Sequence, residues 1–198
     1  MSSKINYNQA TYLTSATTLA QLPADYGREV AFIGRSNAGK SSALNAITRV
    51  KGLARTSNTP GRTQMINYFA IDHERRLVDL PGYGFAKVPP SVQARWTQMT
   101  ADYFEKRASL VGLIVVMDVR HPLKEMDWQM IEWCVDTEVP LHILLTKADK
   151  LTASAQKKAL FSVKKALPKI DNVSVQLFSS LKKIGIAEAR ECLNKWLL

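Results

Sequence analysis

"EVAFIGRSNAGKSSALNAITRV", residues 29–50, decides the fold. Its first six residues are an apolar run of strand length. Its last eleven carry apolar residues at helical spacing. Between them, "GRSNAGKS" (residues 34–41) has the form G-x-x-x-x-G-K-[ST]. A strand that turns directly into a helix through such a loop presents successive backbone N–H groups to a phosphate. Glycines at the loop ends remove steric bulk, and the helix aims its positive N-terminus at the anion. Lys40 reaches the outer phosphates and the Ser41 hydroxyl suits Mg²⁺. The loop alone does not separate GTPases, ATPases and small-molecule kinases.

Working outward, short apolar runs alternate with amphipathic segments. "QMINYFAID", "RRLVDL", "LVGLIVVMDV", "LHILLTK" and "NVSVQLFS" read as strands, joining "EVAFIG" to make six. Helices are expected over residues 40–50, 91–107, 123–136, 154–167 and 184–197. The second of these starts after Pro89-Pro90, since proline suits a first helical turn. Such alternation predicts a three-layer α/β fold, with a mostly parallel six-stranded sheet and helices on both faces. Ligands of these sheets bind beyond the carboxyl ends of the strands, and four further motifs follow strands or lie between elements there.

"TKAD" (residues 146–149) follows "LHILL". Guanine presents N1–H and a 2-amino group side by side, and one carboxylate accepts from both. Asp149 is therefore a guanine reader, with the Lys147 stem lying along the flat base. The common form of the motif begins with Asn. Thr146 cannot reproduce both ends of a carboxamide, so reduced base affinity is expected. "FSSLKK" (residues 178–183) can offer backbone N–H groups to guanine O6, with Ser179 and Ser180 fixing the turn. "SNTPGRTQ" (residues 57–64) is an irregular loop in which Thr59 or Thr63 can complete a Mg²⁺ shell opposite Ser41; spacing leaves both open. "DLPG" (residues 79–82) supplies the Asp79 carboxylate to that shell through water, and the Gly82 N–H to a γ-phosphate. The next residue is Tyr83, which has no carboxamide to orient a water.

Composition bounds the rest. With 198 residues, 46% of them apolar, the chain can bury one full core. No run of 18 apolar residues is present and the N-terminus has no signal-peptide pattern, so no stable membrane insertion and a cytoplasmic location are expected. Cys134 and Cys192 read as reduced core thiols. His73, His121 and His142 do not cluster. The net charge is +10, and residues 151–198 hold nine Lys/Arg against three Asp/Glu. That excess favours a polyanionic partner such as RNA.

Taken together, "GRSNAGKSS", "NTPGRTQ", "DLPGYGFAKV", "TKAD" and "FSS" resemble the EngB family of bacterial ribosome-biogenesis GTPases. The resemblance covers residues 22–198 as a G domain and leaves residues 1–21 as an N-terminal extension. Ala38 stands where that family usually has valine. The resemblance implies a small GTPase-like P-loop fold and GTP/GDP binding through Gly34, Arg35, Ser36, Asn37, Ala38, Gly39, Lys40, Ser41 and Ser42. It adds Gly61, Arg62, Thr63, Gln64 and Met65, then Asp79, Leu80, Pro81 and Gly82, then Thr146, Lys147, Ala148 and Asp149, and finally Phe178, Ser179 and Ser180. It favours Thr63 over Thr59, giving Mg²⁺ the set Ser41, Thr63 and Asp79, and it places Asn37 beside a K⁺. Lys40, Asn37, Thr63 and Gly82 are then the catalytic set. A monomer acting on the large ribosomal subunit precursor (rRNA and ribosomal proteins) is implied, with a link to normal septum formation.

Hydrolysis of GTP needs an in-line water and a neutralised phosphate. With Tyr83 after the Asp-x-x-Gly, slow intrinsic turnover is expected, completed by K⁺ near Asn37 or by the ribosomal partner. Arg35 and Arg62 are read as structural or RNA-facing. A non-enzymatic, GTP-stabilised scaffold is the rival reading, and the intact Lys40, Ser41, Thr63 and Asp79 set weighs against it. An ATPase or kinase leaves Asp149 unexplained.

Overall fold

A computed structural model of the chain describes residues 5–55, 65–83, 90–167, 169 and 172–198, giving only the backbone of 90–96. Seven strands form one sheet in the order β1-β3-β4-β2-β5-β6-β7. In chain order these are β1 (Thr11–Ala16), β2 (Arg28–Gly34), β3 (Ile66–Ala70), β4 (Arg75–Asp79), β5 (Leu110–Asp118), β6 (Leu141–Thr146) and β7 (Val173–Leu177). The helices are α1 (Lys40–Thr48), α2 (Pro90–Lys106), α3 (Glu125–Asp136), α4 (Ala153–Ala166) and α5 (Ile186–Leu197). Pro90 opens α2, as its missing N–H allows.

β4, β2, β5, β6 and β7 run parallel, and β1 and β3 add antiparallel pairs at one edge. The α/β sheet thus has one strand more than the six expected. The added strand, β1, comes from the segment read as an extension. "TYLTSA" lies at the sheet's edge, so most of its side chains stay exposed and no hydrophobic alternation marks it.

Period-two alternation divides the core. Val30, Phe32, Ile114 and Val116 face α1 and α5, where they meet Leu44, Ile47 and Leu193. Ala31, Ile33, Leu113 and Val115 face the other way, in a cluster with Tyr103, Ile131 and Val163 of α2, α3 and α4. With both faces covered, residues 30–34 of β2 and 110–117 of β5 form unbroken apolar runs. At the amino end of β2 the fully buried Glu29 accepts from Arg107 (2.6 Å) and Arg76 (3.0 Å). This knot closes the sheet's far end and leaves the carboxyl end for ligands.

Cys134 and Cys192 are both free. Burial pushes their thiols up to about 12 and about 11, so both stay protonated and unreactive at neutral pH. Among the described residues, no helix is long and apolar enough to cross a membrane.

Candidate functional site

The site forms where β2, β4, β5 and β6 end together. β2 stops at Gly34, whose backbone passes so near β5 that a Cβ would lie 2.4 Å from the Val116 carbonyl oxygen. Only glycine fits there. The loop then turns through left-handed Asn37 (φ 62°) and Gly39 (φ 97°), and α1 begins when the Ala43 N–H donates to Gly39 O (2.9 Å). Left-handed residues two apart in a loop before a helix are the backbone pattern of an anion-binding concavity. Gly34 and Ala38 are buried, Ser36, Gly39, Lys40, Ser41 and Ser42 are half-buried, and Arg35 and Asn37 are exposed.

Across this concavity the Lys40 ammonium donates to the Asp79 carboxylate at the end of β4. Both side chains are mostly shielded from water, at 13% and 5% exposure. Here a phosphate can take Lys40 while a cation takes Asp79. Ser41 adds a hydroxyl at the same helix end. One carboxylate and one hydroxyl are hard oxygen donors that fit Mg²⁺, an ion that keeps most of its shell for water and phosphate. Among the described residues, no group of three or more His, Cys, Asp or Glu side chains is arranged to hold a metal.

After Asp79 the chain stays zipped to the phosphate loop. The Leu80 N–H donates to Phe32 O (2.9 Å), the Tyr83 N–H to Gly34 O (3.1 Å), and the Ser36 N–H to Tyr83 O (2.9 Å). Leu80 and Pro81 are buried. Gly82 lies against this ladder, and a Cβ there would come within 3.1 Å of Gly34 O. The Tyr83 hydroxyl donates to Asp127 Oδ1 at 2.5 Å, while Asp127 Oδ2 accepts the Lys124 N–H (2.9 Å) at the start of α3. Burial first, then the Asp127 charge, drives the Tyr83 phenol far above its usual range, so it remains a donor. The side chain in the place of a water-orienting glutamine is thus a peg between the loop and α3. Asp127 went unnoticed in the sequence. Its signal was the Lys-Glu-Met-Asp helix start, where an acidic third residue caps the turn.

The base-side loops interlock in the same manner. The buried Thr146 hydroxyl donates to Ala38 O, with Met117 O also in range at 3.0 Å. A hydroxyl has one proton, so it serves one carbonyl at a time. Thr146 is therefore a strut under the phosphate loop. Lys147, left-handed at φ 57°, sends its ammonium to Asn37 O (2.7 Å) and to Asp118 (3.0 Å) at the end of β5. Lys147, expected to lay its stem along a base, thus ties the two loops through its ammonium. Asp118 also takes the Arg120 guanidinium at 2.6 Å; Arg120 first, with Lys147 adding to it, holds the Asp118 carboxyl well below the usual range. Ser179 is fully buried and donates to Asp149 Oδ1 (2.5 Å), while the Ala148 N–H donates to Phe178 O (3.1 Å). Asp149 is thereby aimed by the loop that also carries the half-buried Ser180.

The structure thus brings together the phosphate loop, Asp79 to Gly82, Thr146 to Asp149 and Phe178 to Ser180. Met65 lies exposed just before β3. Thr59, Gly61, Arg62, Thr63 and Gln64 lie outside the described residues.

A central strand feeding a glycine loop, a carboxylate on the neighbouring strand and a seated Lys-x-Asp turn define a P-loop nucleotide-binding domain of the GTPase type. Residues 29–147 match the family described as 50S ribosome-binding GTPases. A probable GTP-binding protein EngB of Coxiella burnetii is 59% identical over 191 residues, covering 96% of this chain and 93% of its own. Its counterpart in Shewanella loihica is 55% identical, covering 98% and 91%. Among solved structures, a probable GTP-binding protein engB superposes with a TM-score of 0.69 at 20% identity, over 85% of this chain and 98% of its own. Era in complex with MgGDPNP and 16S ribosomal RNA nucleotides superposes with a TM-score of 0.68 at 20% identity, over 87% and 57%. These two superpositions establish the fold alone. The sequence matches establish the family: the chain belongs to the EngB family of GTP-binding proteins within the 50S ribosome-binding GTPases.

Proposed function

We propose that this chain is a GTP-hydrolysing switch that acts in assembly of the large ribosomal subunit. The observation that carries the reading is the Lys40–Asp79 contact set against the phosphate loop, facing an Asp149 fixed by Ser179. A guanine nucleotide, with its base at one end and its outer phosphates at the other, satisfies both halves. In this reading Lys40 and the loop amides hold the β- and γ-phosphates, and Ser41, Thr63 and Asp79, the last through water, would hold Mg²⁺. When bound, Mg²⁺ supplies positive charge to the phosphate oxygens. Gly82 gives its N–H to the γ-phosphate, and Asp149 selects guanine.

Water attacks the γ-phosphorus as the bond to the GDP oxygen breaks. No side chain described at the site orients that water, because Tyr83 is committed to Asp127. Intrinsic turnover is accordingly slow. Asn37, exposed in the phosphate loop, would support a K⁺ that supplies the missing charge; the ribosomal partner is the other source. Loss of the γ-phosphate frees Gly82 and loosens the surface that docks on rRNA or ribosomal protein. Residues 22–198 serve as the G domain and residues 1–21 as an extension that lends it an edge strand. The protein works in the cytoplasm as a monomer, and its effect on septum formation follows from the ribosome.

The test is co-sedimentation with large ribosomal subunits under GTP, GDP and a non-hydrolysable analogue. Nucleotide-dependent pelleting is expected, and indifference to nucleotide refutes the switch. Comparing GTP turnover in K⁺ and Na⁺, for the natural chain and for Asn37→Asp, tests the cation. Equal rates remove it.

A further inference from the structure

A groove of about 1050 Å³ runs between α1 and α5 beside the nucleotide-side loops. Arg49, Lys51, Lys183 and Arg190 line it, with Glu191 as the single carboxylate of its wall. We propose that this groove is a docking channel for the phosphate backbone of RNA. The proposal deepens the ribosomal reading above by naming the surface.

Three observations support it. First, the cations are uncompensated. Among the described residues none of the four has a carboxylate within ion-pair distance. Burial and then the Arg49 charge lower the pKa of Arg190, so these two guanidinium groups repel across the groove. An anion between them relieves that repulsion.

Second, one of the cations is held in place and two others stand on unusual backbone. Arg190 donates Nε–H to Ile47 O (2.7 Å) and Nη2–H to Asn8 Oδ1 (3.1 Å), and it lies over the Tyr7 ring at 5.3 Å. Arg49 and Lys183 both occupy left-handed backbone, at φ 58° and 56°. Arg49 ends α1 where glycine is the usual residue. A long cationic side chain at such a place costs stability, and a site for an anion gives it a use.

Third, shape selects the ligand. The groove is far larger than one phosphate, and its cations come from the end of α1, the loop before α5 and α5 itself. Several cations on one concave surface suit a run of phosphates better than a single anion. A concave channel does not fit a flat lipid surface. The groove also touches the nucleotide side: Ser42 and Ser180 line it. Lys182, next to Lys183, donates its N–H to the Ser179 hydroxyl (3.1 Å) that holds Asp149. RNA in the groove and guanine nucleotide in the site then bias one loop, and each changes the other's affinity by the same factor.

The test is fluorescence anisotropy with a labelled 20-nucleotide single-stranded RNA, titrated across 50–300 mM KCl with GDP present. The full chain is compared with Arg49→Glu/Lys51→Glu and with Lys164→Glu/Lys165→Glu, which makes the same charge change on the exposed end of α4. Two lost phosphate contacts make the slope of log K against log salt shallower by about 1.4, and weaken binding by roughly tenfold at low salt. The α4 variant is expected to keep the natural slope. Arg49→Gln/Lys51→Gln, the gentler change, replaces the groove variant if circular dichroism shows the latter unfolded.

Equal weakening in the two charge-reversed variants overturns the proposal in favour of diffuse charge, as does an unchanged groove variant. Displacement of the RNA by polyglutamate of equal charge, as effectively as by unlabelled RNA, overturns the RNA assignment in favour of an acidic protein. Failure of the natural chain to pellet with subunits, with the groove's salt slope as expected, refutes the ribosomal reading and leaves the groove standing.

Discussion

Tyr83→Phe tests whether the Asp-x-x-Gly loop is pegged to α3. The substitution keeps the ring and removes one O–H. That O–H is the donor to Asp127 Oδ1, on a residue only 1% exposed. Its loss leaves a carboxylate oxygen without this donor in a place water reaches poorly. Hydrogen bonds to charged groups contribute about 1.5–3 kcal/mol. The loss falls on a short segment. Among the described residues, residue 83 is held by three bonds: the hydroxyl, its N–H to Gly34 O, and its carbonyl from the Ser36 N–H. With the hydroxyl bond gone, the loop lifts from the phosphate loop more often, while the sheet beneath is unaffected.

The readout is amide hydrogen exchange of the GDP-bound protein, followed residue by residue. The Ser36 N–H is the reporter, since it is protected through Tyr83 O. At about 1.4 kcal/mol per tenfold, its exchange is expected to quicken by roughly 10- to 100-fold. The Leu113 N–H, which donates to Pro140 O on the far side of β5, serves as the control and is expected not to change. A double-mutant cycle with Asp127→Ala should return a coupling of about 1.5–3 kcal/mol. Two results refute the reasoning. Unchanged Ser36 exchange means the peg does not hold the loop. Equal quickening at Ser36 and Leu113 means the bond supports the whole fold rather than the loop.

Three further outcomes follow from the geometry. Thr146→Val keeps the shape and leaves the Ala38 carbonyl without its donor; at about 1–3 kcal/mol for an unsatisfied buried group, fluorescent GDP should bind about tenfold more weakly, and unaltered binding denies Thr146 its role as a strut. Glu29→Gln removes the anion that two guanidinium groups share, with Arg76 and Arg107 at 3% and 9% exposure. Breaking a buried pair this way costs about 3–5 kcal/mol, read as a lower urea midpoint at unchanged m-value, with nucleotide selectivity retained. His142 is bound by Ser174 (2.7 Å) and Gln176 (2.8 Å), and burial lowers its pKa, with Lys195 adding to the effect. The unfolded chain therefore takes up the proton first, near pH 6.5. The stability that neutral His142 contributes is full above that value and falls as pH drops below it; His142→Gln should flatten the decline in urea midpoint on that acid side.

What could be read from the sequence was what backbone geometry demands locally. Gly34 must lack a side chain because β5 passes within 2.4 Å of where one would be, and a glycine after an apolar run already signals such closeness. The same holds for the helix that starts at Lys40 and the turn after Leu80. What could not be read depends on which strands lie side by side. Asp118 and Thr146 are 28 residues apart yet pair directly across β5 and β6. That register is what lets Lys147 reach Asp118 and Asn37 O at once. β1 was hidden for a related reason: an edge strand buries too little to leave an alternating pattern. Tyr83 joins the two cases. Its place after Asp-x-x-Gly showed that a water-orienting carboxamide is missing. Only the packing of α3 shows where the phenol goes, into a buried acceptor that draws it off the phosphate. A glutamine at residue 83 would forfeit that peg, so restoring the usual catalytic side chain here should loosen the loop that must present the Gly82 amide. The position cannot serve both tasks, and the chain has used it to hold the loop.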